Sequence, residues 1–416
     1  MYTRMFAGVG GLSLVILTLG CRDDATSPTE PVPPAPAASA AAAVGLGFRQ
    51  VSAGEEHTCG VTADDVAYCW GYNASGQLGD GTSTGPELCT GAVGPFPCST
   101  RATLVAGGHR FRQVSAGTFH TCGVTTDHRV YCWGSNDGGA LGDGTTTQRP
   151  TPVAVAGGRQ FRQVDAGYSH TCGVTTNNQA FCWGNNVYGQ LGDGTTTARL
   201  SPVAVAGGLT FKQVSAGSGH YYFTCGITTD NRAYCWGRNN FGQLGDGTET
   251  PRRVRPSPVA GGREFRQVDA GYYHACGVTT DDRAFCWGHG RYGQLGNGKT
   301  YLSFWPRAVS GKLRFSRVAA AGSHSCGETT TNRAYCWGLN TFGQLGNGTT
   351  AQRLRPVAVT GGLAFAQLSA NGLHTCGRTS AGAAFCWGYG FFGQLGNGSS
   401  SFGAAASAPV AVLGPM

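Results

Sequence analysis

The sequence predicts an all-β protein, a seven-bladed β-propeller of four-stranded antiparallel blades. Three observations predict this fold: a phrase that recurs seven times, four short strand-like segments in each copy, and a composition with 69 glycines and only 12% charged residues. A repeat period of about fifty residues is typical of propeller blades or large solenoid units. Abundant glycine and little charge suit short strands joined by tight turns better than helices.

The repeated phrase ends in Cys-Trp-Gly, so its tryptophans count the copies. Successive tryptophans are 63, 50, 53, 51, 50 and 50 residues apart. The long first interval holds an insertion at about residues 84–100, and the interval of 53 holds three extra residues within "SGHYYF". The tryptophans are Trp70, Trp133, Trp183, Trp236, Trp287, Trp337 and Trp387.

Each copy contains four strand candidates, which read "PVAV", "FRQVDAG", "HTCGVTT" and "QAFCWG" and are bounded by Gly, Asn, Asp and Thr turns. The turn "TTDH" has hairpin chemistry, and no segment shows helical periodicity. Units of four strands close radially as a propeller. The chain ends in a further "PVAV", a segment that does not precede the first copy. Pro409–Val412 is therefore predicted to complete the first blade beside Phe48–Val51.

The cysteines predict disulfides. Each copy has two cysteines ten positions apart, which lie opposite each other in a hairpin at roughly 4.5–5.5 Å between Cα atoms, within reach of a disulfide. Metal ligation is the alternative, but zinc sites use cysteines two to four positions apart. The expected pairs are Cys59–Cys69, Cys89–Cys98, Cys122–Cys132, Cys172–Cys182, Cys225–Cys235, Cys276–Cys286, Cys326–Cys336 and Cys376–Cys386.

The N-terminus predicts export. Residues 1–20 contain Arg4 and then an apolar run, the layout of a signal peptide. Cys21 resembles the acylated cysteine of bacterial lipoproteins, although Thr18 stands where leucine is preferred; cleavage by ordinary signal peptidase is the alternative. Residues 21–45 form a Pro/Ala-rich linker, and the propeller is expected over 46–416. The predicted location is the cell envelope, as a lipoprotein, or the extracellular space.

The pattern "AGxxHTCxxTxxxxxYCWGxNxxGQLGxG" resembles the repeat of the regulator of chromosome condensation, a seven-bladed propeller. The resemblance implies that the tryptophan packs between blades and that the "GQLGDG" glycines make close turns. Members of that family include a nucleotide-exchange factor, a plant ultraviolet-B photoreceptor and a secreted bacterial β-lactamase inhibitor. The inhibitor, which binds through aromatic loops on one face, resembles this chain most in compartment and surface.

No catalytic residue, metal site or cofactor is predicted. The repeated histidines (His57, His120, His170, His274, His324 and His374) occur once per blade, too far apart to share an ion, and are expected to make structural hydrogen bonds. Asp80, Asp143, Asp193 and Asp246 follow glycine and become asparagine in later copies, which favours turns over calcium.

The net charge of +8 comes partly from arginines at equivalent positions, Arg49, Arg112, Arg162 and Arg266. They are interpreted as a solvated strand face, and no nucleic-acid partner is expected.

A partner-binding surface is predicted where the repeats differ. The loop before each histidine, placed between the second and third strands, is irregular and aromatic, as in recognition surfaces. The chain is thus expected to bind a protein or glycan without catalysis, and to reach the membrane only through its lipid. A self-associating envelope protein, an exchange-factor-like role and an enzyme with unrecognised loops are the alternatives. The aromatic residues before "GQLG" are read as packing (Tyr188, Phe241, Tyr292, Phe342 and Phe392). The predicted partner-binding residues are Glu55, Glu56, Phe119, Tyr168, Tyr221, Tyr222, Tyr272 and Tyr273.

Overall fold

The computed structural model describes residues 46–91, 94–401 and 404–415. These residues form seven antiparallel sheets arranged as the blades of a propeller, which confirms the predicted fold. The expected signal peptide, Cys21 and the whole expected linker, residues 21–45, lie outside the described residues. Within the described ranges, no helix has the length and apolarity to span a membrane.

The blades follow one another along the chain. Blades 1 to 3 contain β1 (Phe48–Ala53), β2 (His57–Thr62), β3 (Ala67–Tyr72), β4 (Glu87–Gly91) and β5 (Gly94–Leu104); β6 (Phe111–Ala116), β7 (His120–Thr125), β8 (Val130–Gly134) and β9 (Arg149–Ala154); β10 (Phe161–Ala166), β11 (His170–Thr175), β12 (Ala180–Gly184) and β13 (Arg199–Ala204). Blades 4 and 5 contain β14 (Phe211–Ala216), β15 (Phe223–Thr228), β16 (Ala233–Arg238) and β17 (Arg252–Pro258); β18 (Phe265–Ala270), β19 (His274–Thr279), β20 (Ala284–Gly288) and β21 (Ser303–Ala308). Blades 6 and 7 contain β22 (Phe315–Ala320), β23 (His324–Thr329), β24 (Ala334–Gly338) and β25 (Arg353–Ala358); β26 (Phe365–Asn371), β27 (His374–Thr379), β28 (Ala384–Tyr389) and β29 (Ala405–Ala411). A short 3-10 turn spans Asp137–Gly139.

The first strand of each blade faces the axis of the propeller, where all seven contribute to one central cavity of about 620 Å³. The second and third strands form the cysteine hairpin, and Cys122 lies directly opposite Cys132 with their Cα atoms 4.0 Å apart. All eight cysteine pairs named above are disulfide-bonded in the structure. The insertion forms an extra hairpin, in which β4 pairs with the start of β5.

The order of strands within a blade differs from the prediction. The "PVAV" segment is the outer strand of the blade that precedes it, because Val153 pairs with Cys132 and the terminal Val410 pairs with Cys386. Blade 1 has its own outer strand in the second half of β5. This segment reads "STRATL", so it does not match the "PVAV" pattern of most other outer strands. The prediction that Pro409–Val412 completes the first blade is wrong.

The ring closes instead by a pair of glutamine hydrogen bonds of the kind that joins most neighbouring blades. Gln367 of blade 7 donates to the carbonyl of Val51 at 2.8 Å and accepts from its backbone N–H at 3.0 Å. Gln50 makes the same pair of hydrogen bonds with Val114 of blade 2. Blades 1 and 7 therefore meet through an ordinary interface.

The tryptophans fill the interfaces between blades, as the resemblance implies. Trp133 is fully buried, packs on Phe111 with ring centroids 5.6 Å apart, and donates from Nε1 to the carbonyl of Gln77 in the preceding blade. Gly79 of the same preceding loop lies flat on this indole at a φ of +71°, where an added Cβ would stand 2.6 Å from Nε1. Close approach and the left-handed backbone both require glycine there.

Candidate functional site

The repeated histidines connect neighbouring blades. The Nε2 atom of His120 lies 2.8 Å from the hydroxyl of Thr171 in the next blade, and that hydroxyl donates its own proton to the carbonyl of Ala140. The imidazole must therefore be the donor, which fixes its neutral form with the proton on Nε2. Burial lowers the pKa of His120 to about 4 and that of His170 to about 3. Neutral, fully buried side chains of this kind are structural.

This contact is missing once. In blade 4 the histidine position is Phe223, and the threonine position of blade 5 is Ala275. Both residues are buried in one apolar cluster with Trp287. Loss of the donor and loss of the acceptor thus occur together, and an apolar contact replaces the hydrogen bond.

The aspartates of "LGDG" stabilise turns. Asp143 accepts hydrogen bonds from the N–H and hydroxyl of Thr145, and it forms an ion pair with Arg149 at 3.1 Å. Throughout residues 46–91, 94–401 and 404–415, no group of three or more His, Cys, Asp or Glu side chains is placed to hold a metal ion.

The predicted partner-binding loops join the strands expected, "FRQVDAG" and "HTCGVTT", which are the first and second strands of each blade once "PVAV" is assigned to the preceding blade. They surround one mouth of the central cavity, where backbone hydrogen bonds run from blade to blade, as from Thr118 N to the carbonyl of Gly167 at 3.2 Å. The "GQLG" loops begin at the same edge of the blades, because His57 pairs with Gly71 at the start of β2 and the end of β3. Both sets of loops therefore belong to one face.

On this face, rings of blades 2 to 5 form two groups of contacting rings. Tyr168 contacts Phe119 and Tyr222, with centroids 5.9 and 5.4 Å apart, and Tyr221 contacts Tyr273 at 4.3 Å. We call this surface the tyrosine belt; it comprises Phe119, Tyr168, Tyr188, His220, Tyr221, Tyr222, Arg238, Phe241, Tyr273, His289 and Tyr292.

Arg238 joins the two halves of the belt. Its guanidinium lies over the ring of Tyr188 at 4.7 Å and over that of Tyr221 at 4.6 Å from the centroids. Most belt rings are half-buried, and Tyr292 is 42% exposed. Packing among the rings holds each in place while leaving part of its surface exposed to solvent.

Tyr272 contacts the belt through Tyr273, with ring centroids 6.0 Å apart, but turns toward the channel. Its ring lies across the cavity mouth, against Gly219 of blade 4 and with its hydroxyl beside Gly372 of blade 7. Burial, followed by the negative charge of Glu55, raises the pKa of Tyr272 well above its usual range. Tyr272 and Glu55 therefore cover the channel mouth beside the belt.

Glu56 lies apart from the belt and adjoins a second aromatic cluster. Burial and, to a smaller extent, the charge of Glu55 raise the pKa of Glu56 to about 7. The pKa values of Tyr72 and Tyr389 are also raised, mainly by burial and in addition by the charge of Glu56. The second aromatic cluster comprises Tyr72, Phe96, Phe342, Tyr389, Phe391 and Phe392.

The residues before "GQLG" were interpreted as packing only, but Tyr188, Phe241 and Tyr292 contribute rings to the belt. Their uniformity along the sequence concealed this, since a position that repeats can still be part of a surface. Arg238 had a detectable signal, because the other blades carry Tyr, Ser, Asn, His or Leu at its position.

Comparisons with known proteins agree with the repeat pattern. The RCC1-like domain matches residues 15–360, and the RCC1 repeat matches residues 365–394. The ultraviolet-B receptor UVR8 of Arabidopsis thaliana is 32% identical over 268 residues, which cover 63% of this chain and 58% of the receptor. The probable E3 ubiquitin-protein ligase HERC4 of Homo sapiens is 36% identical over 230 residues, which cover 55% of this chain and 21% of the ligase.

Among solved structures, yeast RCC1 (Prp20) bound to Kap60 superimposes with a TM-score of 0.70 at 20% identity, covering 84% of this chain and 83% of Prp20. The chain spans a little over half the length of UVR8 and about a fifth of HERC4. The likeness to these proteins is therefore a likeness of the propeller. Since the RCC1-like domain matches well over half of its length, this chain belongs to the RCC1-like domain family.

Proposed function

We propose that this chain is an exported, lipid-anchored, non-enzymatic propeller that binds a protein or glycan partner through the tyrosine belt. The observation that carries the proposal is the belt itself, in which loops of four blades bring half-buried aromatic rings and one arginine into continuous contact on one face. Tyr and Arg are enriched among residues whose truncation costs 2 kcal/mol or more of binding energy.

The scaffold favours binding because it holds the belt in place before a partner arrives. The loop backbones are hydrogen-bonded from blade to blade at the cavity mouth. In each blade a disulfide joins the strand that follows the loop to the next strand. Tyrosine has few rotatable bonds, so little side-chain entropy is lost on association. Preorganised loops and rigid rings leave more of the contact energy as affinity.

Export is supported by the eight disulfides, because disulfides persist in oxidising compartments. Among proteins with this fold, Prp20 has been solved with Kap60 bound to it. In this proposal the carboxyl groups around the cavity are structural: the buried Asp165 and Asp269 accept hydrogen bonds from Ser115, Ser215 and backbone N–H groups of neighbouring blades.

The proposal is tested with the full chain, affinity-tagged and isolated from the envelope of the host. Bound proteins are identified by mass spectrometry, and the same preparation is applied to a glycan array. Binding of the identified partner is then measured for a variant in which Tyr188, Tyr221 and Tyr273 are replaced with alanine. We expect this variant to bind at least a hundredfold more weakly.

The matched control replaces three half-buried tyrosines of the cysteine hairpins, Tyr131, Tyr234 and Tyr335, which lie away from the belt. This control should bind normally. Retained binding by the belt variant would show that the partner uses another surface. Sedimentation of the chain without ligand reports self-association, and a dimer lost in the belt variant would assign the belt to envelope assembly instead.

A further inference from the structure

The end of the channel opposite the tyrosine belt carries a cavity of about 400 Å³ with four arginines in its wall. We call it the arginine cavity; it is lined by Arg49, Gln50, Arg112, Gln113, Arg317, Ala366, Gln367 and Arg378. These residues come from blades 1, 2, 6 and 7, and none of the lining residues is acidic. Arg49 and Arg112 were interpreted as part of a solvated strand face. In the structure they also line one shared cavity.

Arg317 replaces a residue that has a fixed structural role in the other blades. Six blades hold glutamine at this position, and each glutamine makes two hydrogen bonds to one residue of the next blade, as Gln267 does with Val318 at 2.9 and 3.1 Å. Arg317 makes no such pair with Leu368 among the described contacts, and its side chain is exposed toward the cavity. Blade 6 thus gives up an inter-blade contact and places a cation at the mouth.

Arg378 is the second departure from the repeat. Blades 1 to 5 hold Val or Ile at its position, where Val61 for instance packs into the interface with the next blade. Arg378 is half-buried, and among the described residues its enclosed Nε atom has no hydrogen-bond partner, while a terminal nitrogen donates to the carbonyl of Thr379. Blade 7 has Ala366 at the position that is Arg49 in blade 1 and Arg112 in blade 2. Because this side chain is short, it leaves space in the cavity wall beside Arg317 and Arg378.

The nearby acids balance only part of this charge. Asp65 pairs with Arg49 at 2.6 Å, and Glu328 is buried near Arg317 and Arg378, whose charges oppose the rise in its pKa caused by burial. Arg112 is exposed and contacts the Nδ1 atom of His128. Four guanidinium groups and two carboxylates leave the cavity with an excess of positive charge.

We propose that the arginine cavity binds one multiply charged oxyanion of the phosphate class. Guanidinium groups offer planar pairs of N–H donors that match the oxygens of phosphate, and they remain charged at every physiological pH. A concave wall with one sign of charge concentrates the opposite ion. The phosphate is either free in solution or carried on a polymer.

The probe is inorganic pyrophosphate, titrated calorimetrically into the full chain at pH 7.5, with sodium chloride added to keep the ionic strength constant. We expect one site per chain. The decisive variant is R317Q, which installs the glutamine native to six blades and should leave the melting temperature unchanged or higher, while weakening pyrophosphate at least tenfold. The matched control is R252Q, at an exposed arginine on the outer strand β17, which should bind as the wild type does.

Absence of binding at millimolar pyrophosphate, or equal affinity of R317Q and the wild type, would overturn the proposal. Equal weakening by R252Q would do so as well, because it would show general charge attraction. A parallel titration with long-chain polyphosphate separates the two sources. Equal affinity per phosphate group would assign a free anion, and tighter binding of the polymer would assign a polymer-borne phosphate; both results support the site.

Discussion

Blades 4 and 5 contain a natural template for removing an inter-blade histidine, since Phe223 and Ala275 replace the polar pair there. Copying that pair to the next interface gives H274F/S325A. In the wild type, His274 Nε2 lies 2.7 Å from the Ser325 hydroxyl, which donates to the carbonyl of Gln294. That carbonyl also accepts from the indole of Trp337 at 2.9 Å, so the variant leaves it satisfied.

The variant should matter more in acid than at neutral pH. Burial, then the charges of His289 and His324, lowers the pKa of His274 from 6.5 to about 3. The unfolded chain therefore binds a proton that the folded chain excludes, and folding free energy is lost as the pH falls from 6.5 toward 3. At pH 5 the loss is about 2 kcal/mol for this histidine, at 1.36 kcal/mol per pKa unit. At pH 7.5 it is close to zero.

The measurement is guanidinium unfolding at pH 7.5 and pH 5.0 with the disulfides intact. Relative to the wild type, H274F/S325A should gain about 2 kcal/mol on going from pH 7.5 to 5.0. Buried acids with raised pKa values, such as Asp269 at about 7, act in the opposite direction but are present in both proteins and cancel. The control is H220A, at an exposed histidine of the belt. A stability difference that is the same at both pH values would refute the reasoning.

Three further predictions concern the scaffold. Removing residues 405–416 deletes the outer strand of blade 7 and should lower the melting temperature by several degrees while circular dichroism retains the β spectrum; an unchanged melt would mean that this strand adds nothing. C89S/C98S should expose the insertion hairpin to protease but leave the unfolding midpoint of the ring in place, since this disulfide closes only β4 onto β5. G79A should cost about 2–4 kcal/mol, because the new methyl meets the Trp133 indole at a positive φ; a loss below about 0.5 kcal/mol in urea unfolding would contradict the packing.

The repeated part of the fold could be predicted because every copy has similar strand segments and turn residues and the same cysteine spacing. The ten-residue spacing between Cys122 and Cys132 defines a hairpin, and seven copies define the ring. The phase of the repeat could not be read in this way, since "PVAV" stands much closer in sequence to the strand that follows it, Phe161–Ala166, than to the strand it pairs with, Val130–Gly134. Only the pairing of Val153 with Cys132 decides between them.

The candidate surfaces were harder to predict because they depend on contacts between blades. Irregular loop residues such as Tyr221 and Tyr273 indicated the belt, but nothing local distinguishes them from Tyr272, which turns into the channel mouth. Arg317 and Arg378 are visible departures from the repeat, yet they lie 61 residues apart in sequence. Their convergence on one cavity follows from the curvature of the ring.

Closure of the ring by an ordinary interface has a consequence for how the chain can be cut. Every blade is built from one continuous stretch of sequence, and Leu46, at the start of the described chain, packs in the same apolar cluster as Val410 and Val412 near its end. No blade therefore depends on where the chain starts. A circular permutant that joins these neighbouring ends and opens at the exposed Gly207–Gly208 turn between blades 3 and 4 would keep all seven blades whole.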